Sequence, residues 1–173
     1  PKVDCLLLGG AMAYTFLKAK GITVGKSLIE EERVSLAREL ISQAQSQRVP
    51  LLLPTDHVAA EGIKGNPITA GVHIPPNYMG LDIGPKTTAQ FCQEIRKARM
   101  VLWNGPVGLF EEEKFSRGTR SIAEALAGHD ALVCQCDGYC CDDETEVCCR
   151  HGGGGSSCYI KGQTECAWWG CRV

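Results

Sequence analysis

Short runs of apolar residues alternate with amphipathic stretches along most of the chain. Three runs span residues 5–8, 49–53 and 100–103, and a fourth begins at residues 131–133. Apolar runs of this length are typical of strands buried on both faces, which occur in parallel sheets covered by helices. The alternation therefore predicts an α/β fold of the Rossmann-like kind, with an incomplete, doubly wound parallel sheet.

The stretches between these runs predict helices. In one of them, apolar residues recur at helical spacing behind Glu30, Glu31 and Glu32, acidic residues that suit the positive end of a helix. Pro85 suits the first turn of another helix, and residues 11–19 and 118–126 predict two more. Residues 61–78 are rich in Gly, Asn and Pro, and we expect a loop there with one edge strand.

Glycine residues follow two of the predicted strands. Gly9 and Gly10 end the first run, and Asn104-Gly105-Pro106 ends the run at residues 100–103. Ligands of open parallel sheets bind at the carboxyl ends of strands, where glycine lets backbone approach a base or a phosphate. The pattern favours a nucleotide-sized ligand, with plain turns as the alternative. Asp56-His57, which also follows a strand, is interpreted as a turn or capping pair without chemistry.

Four segments resemble phosphoglycerate kinase in the same order and at similar spacing. They are LGGAMAYTFLK at residues 8–18, MGLDIGPK at 79–86, WNGPVGLFE at 103–111 and FSRGT at 115–119. The resemblance covers residues 3–127 and is to the nucleotide-binding, carboxyl-terminal domain of that family.

The resemblance implies an activity and a set of partners. The family transfers a phosphoryl group between 1,3-bisphosphoglycerate and Mg-ADP, which gives 3-phosphoglycerate and ATP. ADP or ATP and Mg are therefore the expected cofactors, and 3-phosphoglycerate is expected to bind only where an amino-terminal domain is supplied. A cytoplasmic monomer is expected. Neither a nucleic acid nor a membrane partner is expected, because the formal net charge is −2 without a basic stripe and no apolar run approaches the roughly 20 residues of a spanning helix.

The resemblance also implies residue roles, none of them catalytic or metal-binding. Glu111 is expected to accept hydrogen bonds from the ribose hydroxyls, and Asn104 to lie near the phosphates. The remaining residues would wall the adenine slot: Gly9, Gly10, Leu28, Gly80, Leu81 and Leu109. Taken alone, Leu28 and Leu109 suit a core and Glu111 suits a solvated surface.

Several segments of the family pattern do not occur in this sequence. The chain reads as one entered midway, behind a GGAK-type segment, and it contains no GGGD[ST] or STGGGA loop. The GGGD[ST] loop would supply the aspartate for magnesium and a helix terminus for the phosphates. We therefore expect a fragment that holds the adenosine half of the site and is inactive alone. The alternative is a non-catalytic binding or interaction protein that reuses the fold.

Cysteine usage changes abruptly near Val133. Of the 11 cysteines, only Cys5 and Cys92 precede that residue, so we divide the chain into a partial nucleotide-binding domain at 1–133 and a cysteine-rich tail at 134–173. The tail suits a disulfide module, a metal site, or an out-of-frame translation of the family's own ending. The last idea follows from codons, since valine and glycine codons read out of frame yield cysteine and tryptophan. The tail is expected to be disordered or disulfide-rich.

Overall fold

A computed structural model of the chain describes residues 3–128, 132–136 and 158–159. The described residues fall in two compact units, residues 3–91 with 106–122 and residues 92–105 with 123–128, 132–136 and 158–159. The first contains β1 (Leu6–Leu7), α1 (Gly10–Ala19), α2 (Val34–Ser46), β2 (Leu51–Leu52), β3 (His57–Ala60), β4 (Ile68–Ala70) and β5 (Met79–Ile83). The second contains β6 (Met100–Asn104), β7 (Leu132–Cys136) and β8 (Cys158–Tyr159). Helices α3 (Pro85–Ile95) and α4 (Arg117–Ala127) each begin in the first unit and end in the second.

The strand, glycine turn and helix predicted at the start of the chain are present. β1 and β2 pair in parallel, with Leu6 opposite Leu51. Helices α1 and α2 pack together through Phe16 and Ala37, as the apolar stripe of α2 predicts. Leu40 lies at the helical spacing that predicts this stripe, yet it is 40% exposed.

A second sheet in the first unit is antiparallel, which the sequence pattern does not predict. Its strand order is β4-β3-β5, and His57 of β3 lies opposite Ala70 and Ile83. β4 is the edge strand expected between residues 61 and 78. The apolar pattern does not predict β3 and β5, because each strand contains a polar residue. These residues, His57 on β3 and Asp82 on β5, are fully buried in the folded sheet.

The second unit contains a sheet of order β6-β7-β8. β6 and β7 pair in parallel from Met100 opposite Leu132 to Asn104 opposite Cys136. The strand expected from residue 131 is therefore present, and it continues past Val133. β8 pairs with β7 in the antiparallel direction and places Cys158 opposite Cys134.

The α/β class and the parallel strand pairing predicted from the sequence are confirmed. The predictions for the rest of the tail concern residues 137–157 and 160–173, which lie outside the described residues. In the part of the chain that the structure describes, no helix is both long enough and apolar enough to cross a membrane.

Candidate functional site

The turn from β1 into α1 is built on glycine. Gly10 has a φ of 61°, in the left-handed region that favours glycine, and its N–H donates to the carbonyl oxygen of Val107 at 3.0 Å. A Cβ added at Gly9 would lie 2.6 Å from Cγ1 of Val107. The glycine pair is therefore required by the close packing of Val107 against the start of the helix.

Gly80 of β5 is a second position where only glycine fits. A Cβ there would lie 2.2 Å from the hydroxyl oxygen of Tyr14, on α1. The N–H of Gly80 donates to Oγ of Ser27 at 2.9 Å, and this hydrogen bond ties the turn carrying Leu28 to β5. The side chain of Leu28 is 68% exposed, so the core role weighed for it from the sequence is wrong.

Leu81 and Leu109 pack against each other. The N–H of Leu109 donates to the carbonyl oxygen of Leu81 at 2.7 Å, which fastens the loop after residue 106 to β5. Both leucines belong to a cluster built around buried Phe115, with Leu81 buried and Leu109 half-buried. Glu111, two residues further along the loop, is exposed.

A continuous set of contacts joins most of the predicted site. It runs from the Gly9-Gly10 turn to Val107, along the loop to Leu109, across to Leu81 and Gly80, and through Ser27 to Leu28. Seven of the eight predicted residues lie on it or on its loop, all in the first unit. The eighth, Asn104, is exposed at the end of β6 in the second unit, and its role stays a prediction.

A fully buried carboxylate, Asp82, lies on β5 next to these residues. Its two oxygens accept hydrogen bonds from the N–H groups of Ile83 at 2.9 Å and Gly118 at 2.7 Å. Burial raises the pKa of Asp82 to about 6, against the opposing effect of the two N–H donors. Burial, and then the charge of Asp82, also raise the pKa of Tyr14. The sequence patterns assign neither residue to the site, although an aspartate inside the apolar segment MGLDI is a detectable signal.

Asp56 and His57 have structural roles. The carboxylate of Asp56 accepts hydrogen bonds from the N–H groups of Lys86 and Thr87 at the start of α3, as expected of a capping residue. His57 is fully buried and packs on the ring of Tyr14 at 5.5 Å between centroids. Burial lowers the pKa of His57 to about 4, although Asp56 and the Val72 backbone oppose the shift, and no described group satisfies its ring nitrogens in good hydrogen-bond geometry.

Metal-ligating side chains do not converge in the described part of the chain. No group of three or more His, Cys, Asp or Glu side chains there is arranged to hold a metal ion. The expected magnesium cofactor stays a prediction, because proteins commonly hold Mg²⁺ through one or two carboxylates together with substrate phosphates.

Parallel strands joined through helices, with glycine turns at their ends, define an α/β protein of the doubly wound class. The family model described as phosphoglycerate kinase matches residues 1–146. The chain belongs to the phosphoglycerate kinase family.

Individual relatives agree with this assignment. Phosphoglycerate kinase of Clostridium novyi is 52% identical over 135 residues, which cover 76% of this chain and 34% of the relative. That of Koribacter versatilis is 42% identical over 176 residues and covers 94% of this chain and 43% of the relative. The solved structure of phosphoglycerate kinase from Coxiella burnetii superposes with a TM-score of 0.76 and 37% identity, over 78% of this chain and 35% of that one.

The matches cover most of this chain but only part of each relative. The chain spans about a third of the length of the first curated relative, 34%. The family model and the Koribacter versatilis alignment both continue beyond residue 127, where the resemblance read from the sequence segments stops.

Proposed function

We propose that this chain holds the adenosine half of a phosphoglycerate kinase site and binds ADP or ATP. The observation that carries the proposal is the continuous set of contacts from the Gly9-Gly10 turn to Leu28. It gathers glycine backbone and leucine side chains beside an exposed carboxylate, a combination that suits a flat apolar base joined to a diol. The family membership supports the same ligand and a cytoplasmic location.

The exposed residues carry the proposed contacts. Leu28 would cover one face of the adenine, because its side chain is free to lose water when a base stacks on it. Leu109 and the backbone at Gly80 and Leu81 would form the opposite wall. Glu111 would accept hydrogen bonds from the two ribose hydroxyls, and Asn104 would lie near the phosphates.

We further propose that the chain alone does not catalyse phosphoryl transfer. Phosphoryl transfer depends on positioning and on neutralising the charge of the moving group. After Val133 the sequence reads Cys134-Gln135-Cys136, where the family pattern leads into a GGGD[ST] loop. Binding of 3-phosphoglycerate would require an amino-terminal domain. A coupled ATP-forming assay on the purified chain should give no rate above background, and rates near those of an intact enzyme would overturn this.

Calorimetric titration with ADP tests the binding proposal. Glu111→Gln should weaken ADP binding about tenfold, because a neutral amide accepts hydrogen bonds less strongly than a carboxylate. Glu112→Gln is the matched control, since Glu112 is the next residue and is also exposed. No binding by the parent chain, or equal losses in the two variants, would contradict the proposed site.

A second candidate function is an interaction protein with a cross-linked tail. It is favoured by the register that sets Cys134 opposite Cys158 across the β7-β8 pair. Directly opposed residues of antiparallel strands have Cα atoms roughly 4.5–5.5 Å apart, within the range that a disulfide spans. Peptide mapping without reduction should then yield a linked Cys134–Cys158 peptide pair, whereas a fully reduced tail would favour the enzyme fragment.

The coding sequence tests the third interpretation of the tail. If residues 134–173 are an out-of-frame translation, a neighbouring frame should encode GGGD[ST] and STGGGA. Their absence from both other frames would remove that interpretation.

A further inference from the structure

Asp82 is buried where a carboxylate is costly. The side chain is fully buried on β5, between Leu81 and Ile83. A buried charge is tolerated only when hydrogen bonds compensate for lost water, and Asp82 has two such bonds, from Ile83 and Gly118. Burial nevertheless raises the pKa of Asp82, so the two hydrogen bonds do not offset the whole cost of removing the carboxylate from water.

The bond to Gly118 begins a chain of hydrogen bonds that ends at the glycine turn. Gly118 lies in the first turn of α4, and the hydroxyl oxygen of its neighbour Thr119 accepts the N–H of Val107 at 3.2 Å. The carbonyl oxygen of Val107 in turn accepts the N–H of Gly10 at 3.0 Å. The carboxylate of Asp82 is therefore linked, through the start of α4, to the start of α1.

Asp82 also packs directly against the loop between these points. A Cβ added at Gly108 would lie 2.2 Å from Oδ1 of Asp82, so the carboxylate fills the space beneath this residue. On either side of Gly108, the loop is fastened by the hydrogen bonds of Val107 and Leu109. The inner boundary of the loop is thus set by the Asp82 side chain.

We propose that Asp82 is a positioning residue for the adenosine site: its carboxylate fixes the 107–109 loop and the Gly10 turn at the spacing that the ligand requires. The inference rests on the proposed function, and it assigns Asp82 no contact with the ligand. Asparagine cannot replace the carboxylate, because one of its two polar atoms is a donor and would face an N–H group.

Asp56 offers a matched control. It is a second buried aspartate that holds the first turn of a helix, α3, through the N–H groups of Lys86 and Thr87. It takes no part in the chain of bonds from Asp82 to Gly10. Asp56→Asn should therefore disturb the fold in a comparable way without displacing the loop.

ADP titration and amide hydrogen exchange on the full chain test the proposal together. Asp82→Asn should weaken ADP binding about tenfold and accelerate exchange of the Gly10 and Leu109 amides. Asp56→Asn should leave the ADP affinity unchanged and accelerate exchange of the Lys86 and Thr87 amides instead. Unchanged affinity and unchanged Gly10 and Leu109 exchange in Asp82→Asn would overturn the proposal, as would equal losses of affinity in the two variants.

Two further measurements keep the test decisive. Should Asp82→Asn not fold, Thr119→Val breaks the same chain at its middle while keeping Asp82, and should also weaken ADP binding and loosen Gly10. If it does neither, the proposal is wrong. Should the parent chain not bind ADP, the proposed function fails, whereas unchanged exchange at Gly10 and Leu109 in Asp82→Asn is what would refute the role of Asp82 in holding the loop.

A pH profile separates positioning from a purely structural role. Adenosine is the probe because it has no phosphate to titrate. Its affinity for the parent chain should fall between about pH 7 and 5 as Asp82 gains a proton, and should stay flat in Asp82→Asn. Tyr14 on α1 stays neutral in this range because its pKa is raised, and His57 on β3 because its pKa is lowered. A parallel decline in both proteins would count against the proposal.

Discussion

Replacing Gly80 with alanine tests the packing at the centre of the first unit. The added Cβ would lie 2.2 Å from the hydroxyl oxygen of Tyr14 and 2.5 Å from the ring carbon that bears it. Real Cβ contacts of this kind are longer than 3.0 Å, so the ring or the strand must move. Tyr14 cannot swing aside freely, because it is buried in a cluster with Leu17 and Ile74.

The expected cost of Gly80→Ala lies at the upper end of that for an overpacked core, about 3 kcal/mol. Tyr14→Phe removes the nearest of the clashing atoms and leaves the ring carbons in place. Gly80→Ala should therefore cost about 1 kcal/mol less in a Tyr14→Phe background, a difference that a double-mutant cycle measures as a coupling energy.

Urea denaturation of the four proteins provides the free energies of unfolding. Gly71→Ala is the control, because a Cβ at Gly71 meets no atom within 4 Å and this glycine has no positive φ. That variant should be neutral or slightly stabilising. A loss of less than about 1 kcal/mol in Gly80→Ala, or no coupling to Tyr14, would refute the packing described for β5 and α1.

Two buried groups should give opposite pH dependences of stability. The pKa of His57 falls from 6.5 to about 4 on folding, so its contribution is present above about pH 6.5 and is lost as the pH falls towards 4. As the pH falls over that interval, the free energy of unfolding of His57→Phe, measured in urea titrations, should gain about 3 kcal/mol relative to that of the parent chain. A difference between the two proteins that does not change with pH would contradict a buried neutral histidine. The pKa of Asp82 rises from 3.8 to about 6 on folding, so its contribution to the free energy of unfolding is present below about pH 3.8 and is lost as the pH rises to 6. As the pH rises over that range, Asp82→Asn should therefore gain stability relative to the parent chain. Gly108→Ala should cost about 2 kcal/mol through its clash with Asp82, whereas Gly62→Ala, which meets open space, should not; similar midpoints would speak against the clash. Lys18→Met removes the exposed ion pair with Glu31 and should change stability by less than about 1 kcal/mol, and a larger loss by thermal denaturation would disprove a surface role.

Much of the fold follows from local sequence patterns. The apolar run before Gly9, the glycine turn and the helix after it occupy adjacent residues. The apolar stripe around Ala37 lies within one helix, and Pro85 is itself the first residue of α3. Hydrophobic period and turn chemistry are properties of such short windows, so they can be read without knowing what lies elsewhere. The family segments are local too, and they identified the family correctly.

The antiparallel sheet and the buried polar groups depend on distant partners. β3 and β5 are short and carry His57 and Asp82, which a pattern of apolar periods excludes from a core. Their burial becomes tolerable only after Gly118 donates to Asp82 and the ring of Tyr14 covers His57. These partners lie on other elements of the chain, so no local window contains the reason.

The glycines of the candidate site show the division most clearly. From the sequence, the Gly9-Gly10 pair after a strand favoured a base or a phosphate as the group that the backbone approaches, with a plain turn as the alternative. Gly80 entered the site only through the resemblance. The tertiary structure decided that the close neighbours are Val107 and Tyr14, side chains of the protein itself. The absence of a Cβ can be read from one residue, but the group that fills its space depends on which elements pack together, and that is settled only when the chain folds.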